Sequence, residues 1–88
     1  MSDFKFFNKH ERKILHHLYG IRKECSTSEI AQDLEMHWTT VEKSLKKLVG
    51  KRWVIKRELS NKVLWRFNFI HYEKEKIRDK IKEMRKNR

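Results

Sequence analysis

At Gly50 the spacing of the apolar residues changes, and no other feature of this 88-residue chain restricts its fold as much. Before Gly50 the apolar residues recur three and four apart, as on one face of a helix. After it they alternate, as on a half-buried strand. The chain has two glycines and no proline, so capping side chains must mark most element ends. Helices followed by a hairpin in so short a chain predict one α+β domain, mostly helical.

The helical half carries two matching start signals. Asn8 with Glu11, and Ser26 with Glu29, each place a capping side chain three residues ahead of a carboxylate that can reach back. The first helix holds Ile14, Leu15, Leu18 and Ile21 on one face, with Gly20 near its end. Ahead of it Phe4, Phe6 and Phe7 form an apolar cluster expected to dock on the body or on a second copy. The second helix is short, with Ile30, Ala31 and Leu34 as its stripe. Glu35, Met36 and His37 leave room only for a tight turn before a third helix, from about Trp38 to about Val49. Val41, Leu45 and Leu48 make its inner face, and Gly50 is expected to close it.

The strand half begins with Trp53, Val54 and Ile55 and turns polar at Lys56, Arg57 and Glu58. Ser60 and Asn61 supply turn chemistry. On the return strand Val63, Trp65, Phe67 and Phe69 share one side, and Leu64, Arg66 and Asn68 the other, so a hairpin is expected over 53–69. Trp53 and Trp65 are expected in its core, where their indole N–H groups need partners. A fourth helix follows from about His71. Ile77, Ile81 and Met84 continue the line of Ile70 as a narrow seam among dense charges, with Lys74 interrupting it. Such a seam suits a helix that packs on one other helix, so Ile77, Ile81 and Met84 are the expected homodimer interface. Folding back onto its own domain is the alternative.

Charge is concentrated where the period changes. From Lys43 to Arg66 there are nine Lys or Arg against Glu58 alone, and this stretch carries +8 of the formal +11. A chain that needed only solubility would intersperse its charges; a basic block in a balanced domain fits a polyanion. On the third helix, if Val41, Leu45 and Leu48 point inward, then Thr39, Lys43, Lys46 and Lys47 point outward at ~100° per residue, flanked by Thr40. Hydroxyls and ammonium groups on one exposed helix face suit a major groove. A solvated lysine face is the plain alternative. On the hairpin, Lys56, Ser60, Asn61 and Lys62 are the expected contacts, with Arg57 and Arg66 as additions. Trp38, at the start of the third helix, either presses on the nucleic-acid backbone or packs against a neighbouring helix.

The order of elements and the residues Ser26-Thr27-Ser28-Glu29-Ile30-Ala31-Gln32-Asp33-Leu34, Thr39-Thr40-Val41, Leu45-Lys46-Lys47-Leu48 and Trp53-Val54-Ile55-Lys56-Arg57 resemble the winged helix-turn-helix family of DNA-binding domains. The resemblance spans roughly Glu11 to Phe69, about two thirds of the chain. It implies a three-helix core with a two-stranded wing over residues 1–70, to which 71–88 add a C-terminal helix. It also implies that helix 38–49 enters the major groove of double-stranded DNA while the wing follows the backbone. Many family members carry glycine where Glu35 stands, so the turn there is expected either to differ or to begin one residue later. Relatives that bind left-handed DNA show Asn and Tyr where this chain has Glu42 and Lys46, which disfavours that specialisation.

Other chemistries find little support. His16 and His17 point about 100° apart on a helix, and no paired cysteine spacing exists, so no metal is expected. Only Gly20 and Gly50 are available for a phosphate loop, the acids are scattered, and a thin core leaves little room for a substrate pocket. Neither an enzyme nor a cofactor or small-molecule site is expected. The lone Cys25 excludes an internal disulfide and favours a reducing cytoplasmic compartment. It reads as a buried or idle thiol before a redox switch or an intersubunit bridge. No apolar run approaches the ~18 residues of a membrane span. A sequence-specific transcriptional regulator, most simply a repressor, is the expected function. A non-specific architectural DNA-binding protein and a winged-helix module for protein or RNA are the alternatives.

Overall fold

The computed structural model of the chain describes residues 4 and 6–86. Helix α1 (Lys9–Ile21) is followed by a short strand β1 (Cys25–Ser26), then helices α2 (Thr27–Leu34) and α3 (Trp38–Gly50). Strands β2 (Val54–Leu59) and β3 (Lys62–Phe67) form the hairpin, and α4 (Phe69–Lys86) ends the chain. Both capping boxes form as the sequence announces. Asn8 Oδ1 accepts from the Glu11 N–H at 2.8 Å, and Ser26 Oγ accepts from the Glu29 N–H at 3.2 Å, each carboxylate reaching back in turn.

The sheet has three strands, not two. It is antiparallel in the order β1-β3-β2, with Cys25 opposite Trp65 on one edge and Val54 opposite Phe67 on the other. A two-residue strand carries no readable period, and Ser26 advertises itself only as a helix cap. The hairpin is also shorter than 53–69. Its ladder runs from Val54↔Phe67 to Leu59↔Lys62, and Phe69 already belongs to α4.

The helix ends correct a second expectation. Gly20 and Gly50 both lie inside their helices with negative φ, and the left-handed residues are Arg22 (φ 54°), Glu35 (φ 52°) and Arg52 (φ 68°). After α2 and α3 the next residue decides this. Met36 N–H donates to Ala31 O at 2.9 Å, and Trp53 N–H donates to Leu48 O at 2.9 Å. Both bonds reach five residues back, and both side chains pack against the core, so the apolar residue beyond each stop sets where the helix turns. The α2–α3 turn therefore keeps its geometry with Glu35 in place of glycine.

The core has two parts. Ile14, Leu15, Leu18, Ile30, Val41, Leu45 and Leu48 are wholly buried between the first three helices, each contributing about 1.5–3 kcal/mol. Beside them lies an aromatic cluster. Phe4 meets Trp53 edge-on at 5.7 Å, and Phe67 lies 4.7 Å from Phe69 and 5.5 Å from Tyr72. Phe4 and Phe7 thus dock on their own domain, while Phe6 is 89% exposed. Trp65 is buried and its indole N–H donates to Thr27 Oγ1 at 2.8 Å, pinning β3 to the start of α2.

The fourth helix begins at Phe69, two residues earlier than predicted, because Asn68 caps it. Asn68 Oδ1 accepts from the His71 N–H at 3.0 Å, and its Nδ2 donates to Arg52 O at 2.9 Å. Phe69 and Tyr72 join the core from its first turn. Further along, Ile77, Ile81 and Met84 are exposed, as is Ile70. At 18 residues the helix is about 27 Å long, and it draws the molecule out to 53 × 26 × 21 Å. Among the described residues no helix is long and apolar enough to cross a membrane.

Candidate nucleic-acid interface

Helix α3 sits with Val41, Ser44, Leu45 and Leu48 buried. That leaves Thr39, Lys43, Lys46 and Lys47 exposed on the opposite arc, with Thr40 half-buried at its flank. The Trp65–Thr27 bond holds the hairpin against the start of α2, with α3 across from it. Between them opens a groove of about 510 Å³, lined by Trp38, Glu42 and Lys46 of α3 and by Lys56, Asn61 and Lys62 of the hairpin. Ser26 to Glu29, at the start of α2, form its floor together with Val63, Leu64 and Trp65. Lys46 of the helix and Lys56 and Lys62 of the wing therefore line one groove.

Not every predicted contact lies in the groove. Thr39, Lys43 and Lys47 are exposed on α3 and Ser60 is exposed at the hairpin tip, but none of them lines it. Lys56 and Arg57 point to opposite faces of β2. Lys56 Nζ lies 3.0 Å from Glu58 Oε1 and 5.8 Å from the centre of the Trp65 ring. Arg57 Nη2 instead pairs with Glu24 Oε1 at 2.8 Å, and neither Arg57 nor Arg66 lines the groove. Trp38 is 47% exposed, so part of its ring faces solvent at the groove wall instead of being absorbed by a neighbouring helix.

Two carboxylates, Glu29 and Glu42, line the groove although neither is among the expected contacts. Glu29 is committed to its capping box: the Ser26 N–H and then the Ser26 hydroxyl hold its carboxyl below the usual carboxylate range. Glu42 stands one turn from both Trp38 and Lys46, and that four-residue spacing is the signal that could have found it. Its Oε1 is 3.8 Å from Lys46 Nζ.

A shallower hollow between α1 and α2 gathers Lys9, Arg12, Lys13 and Asp33, but it includes no residue of α3 or the hairpin. Among the described residues, no three His, Cys, Asp or Glu side chains are grouped to hold a metal ion. Cys25 is 1% exposed, and burial, followed by the charge of Glu29, pushes its thiol up from the ordinary value.

Residues 7–63 match the family described as the winged helix DNA-binding domain. The chain belongs to that family. No curated protein matches its sequence. Among solved structures it is similar to a protein of the thermoacidophilic archaeon Sulfolobus tokodaii, with a TM-score of 0.71 and 23% identity over 91% of this chain and 82% of that one. It is also similar to the Zalpha domain of Carassius auratus PKZ in complex with Z-DNA, with a TM-score of 0.59 and 24% identity over 67% and 92%. Lactococcus lactis ZitR in complex with DNA gives a TM-score of 0.63 and 24% identity; the alignment covers 76% of this winged-helix chain and 47% of ZitR. At these identities the likeness is one of fold.

Proposed function

We propose that this winged-helix protein is a sequence-specific regulator of transcription that binds double-stranded DNA and represses by occupying its site. In this reading α3 enters the major groove with Trp38, Thr39, Thr40, Lys43, Lys46 and Lys47, and the wing follows the adjoining backbone with Lys56, Ser60, Asn61 and Lys62, while Arg57 stays with Glu24 on the other face of β2. The observation that carries it is the shared groove, in which Lys46 of α3 and Lys56 and Lys62 of the hairpin converge. Convergent cations on two elements suit a curved row of phosphates, whereas a merely solvated surface has no reason to gather them.

Dimerisation through Ile77, Ile81 and Met84 belongs to the same proposal. The seam is solvent-exposed along a helix that projects from the body, and a helix of this kind gains by burying its stripe in a two-stranded coil. Two copies would then offer two α3 helices to a roughly palindromic site.

Two measurements test the reading. Titrating the intact protein with random duplex and with fragments selected from a random pool, at ~150 mM salt, should show a preference of at least ~1,000-fold for a selected site. Lys43→Glu and Lys46→Glu should abolish binding without moving the thermal transition. Binding with no sequence preference would leave an architectural protein. No binding even at low salt would leave a protein or RNA interaction module.

A further inference from the structure

Glu42 is the anomaly of this surface. In a groove that gathers Lys46, Lys56 and Lys62, a carboxylate near DNA repels phosphates whatever the base sequence, and weakens binding everywhere unless a donor meets it. The other groove carboxylate, Glu29, is occupied by the Ser26 cap. Glu42 has no such employment: among the described residues its polar partner is Lys46 Nζ, at 3.8 Å and one turn away. Its side chain is 32% exposed and lies between Trp38 and Lys46 on the stripe that lines the groove.

Only two base edges in the major groove donate, the exocyclic amines of cytosine and adenine. Adenine sets its amine beside the N7 acceptor, which repels the second oxygen of a carboxylate. Cytosine presents N4–H₂ beside a C–H edge, so nothing opposes that oxygen. We propose that Glu42 is the residue through which this surface selects its site, by accepting a hydrogen bond from a cytosine N4 amine. Lys46 offsets the repulsion between Glu42 and nearby phosphates and stays free to reach a flanking phosphate or the O6 acceptor of guanine. The inference rests on the reading of the protein as a sequence-specific DNA binder, and it deepens that reading by naming a base and the atom that reads it.

The test is selection from a random duplex pool with the full chain, its Glu42→Gln variant and its Glu42→Ala variant. Circular dichroism should confirm equal thermal transitions. The intact protein should enrich a site with one invariant cytosine per copy bound, and replacing that cytosine should weaken binding at least ~5-fold. Glu42→Gln should move the preference at that position to adenine, because a carboxamide pairs with both N6 and N7. Glu42→Ala should leave the position unspecified, with discrimination there below about 2-fold, while affinity for random duplex rises. If both variants select the wild-type site with undiminished preference at every position, Glu42 merely tethers Lys46 and the inference is wrong, although the regulator reading survives. If the wild-type protein binds DNA but enriches no sequence, both readings fall together.

Discussion

Single residues at the helix ends show how much local strain this domain tolerates. An L-residue in the left-handed region costs roughly 1–2 kcal/mol relative to its ordinary conformation, and Glu35 sits there at φ 52°. Glycine takes that conformation freely but loses more freedom on folding. Glu35→Gly should therefore stabilise the protein by about 1 kcal/mol, raising the thermal midpoint by ~4–8 °C for a domain of this size; an unchanged midpoint in a melting experiment would refute the strain. Glu29 provides a pH test. Its native carboxyl titrates below the ordinary 4.5 because the Ser26 N–H and hydroxyl favour the charged form. The native state thus binds that proton less tightly than the unfolded chain does. The stabilisation is complete above 4.5 and lost as pH falls through the lower native value. Glu29→Gln should flatten the acid side of a stability-versus-pH curve below 4.5 and leave its slope unchanged near neutrality.

At the scale of elements, the capping boxes and the stripes of α1, α2 and α3 were legible because each is a pattern within a few consecutive residues. Elements defined by partners were not. Strand β1 exists because Cys25 and Ser26 meet Trp65 and Leu64 across the sheet, and α4 starts early because Asn68 is anchored to Arg52. That anchor makes Asn68 more than a cap, since its two side-chain bonds join α4 to the base of the hairpin. Asn68→Ala should cost about 1–2 kcal/mol, measured by denaturant unfolding. A loss under ~0.3 kcal/mol would mean that the aromatic cluster alone holds α4 in place.

For the whole molecule, the decisive relation is between two surfaces on different parts of the chain: the groove on the body and the seam on α4. If the seam joins two copies, Ile77→Glu or Ile81→Glu should convert a dimer into a monomer in sedimentation, with little change in the thermal transition of the body, whose core these residues do not enter. Lys74→Leu should tighten the dimer by completing the apolar row. A wild-type protein that sediments as a monomer at every concentration would end the dimer proposal. What the sequence by itself determined was the four helices and the hairpin, the inner faces of the first three helices and the sign of the charged surface. Each follows from short-range periodicity or from counting. Tertiary structure alone decided that Lys46 faces Lys62 across a groove, that Arg57 is drawn away to Glu24, that Phe4 closes the core while Phe6 does not, and that Glu42 stands among the cations. Those outcomes depend on distances between residues far apart in the chain, which packing sets and local periodicity does not encode.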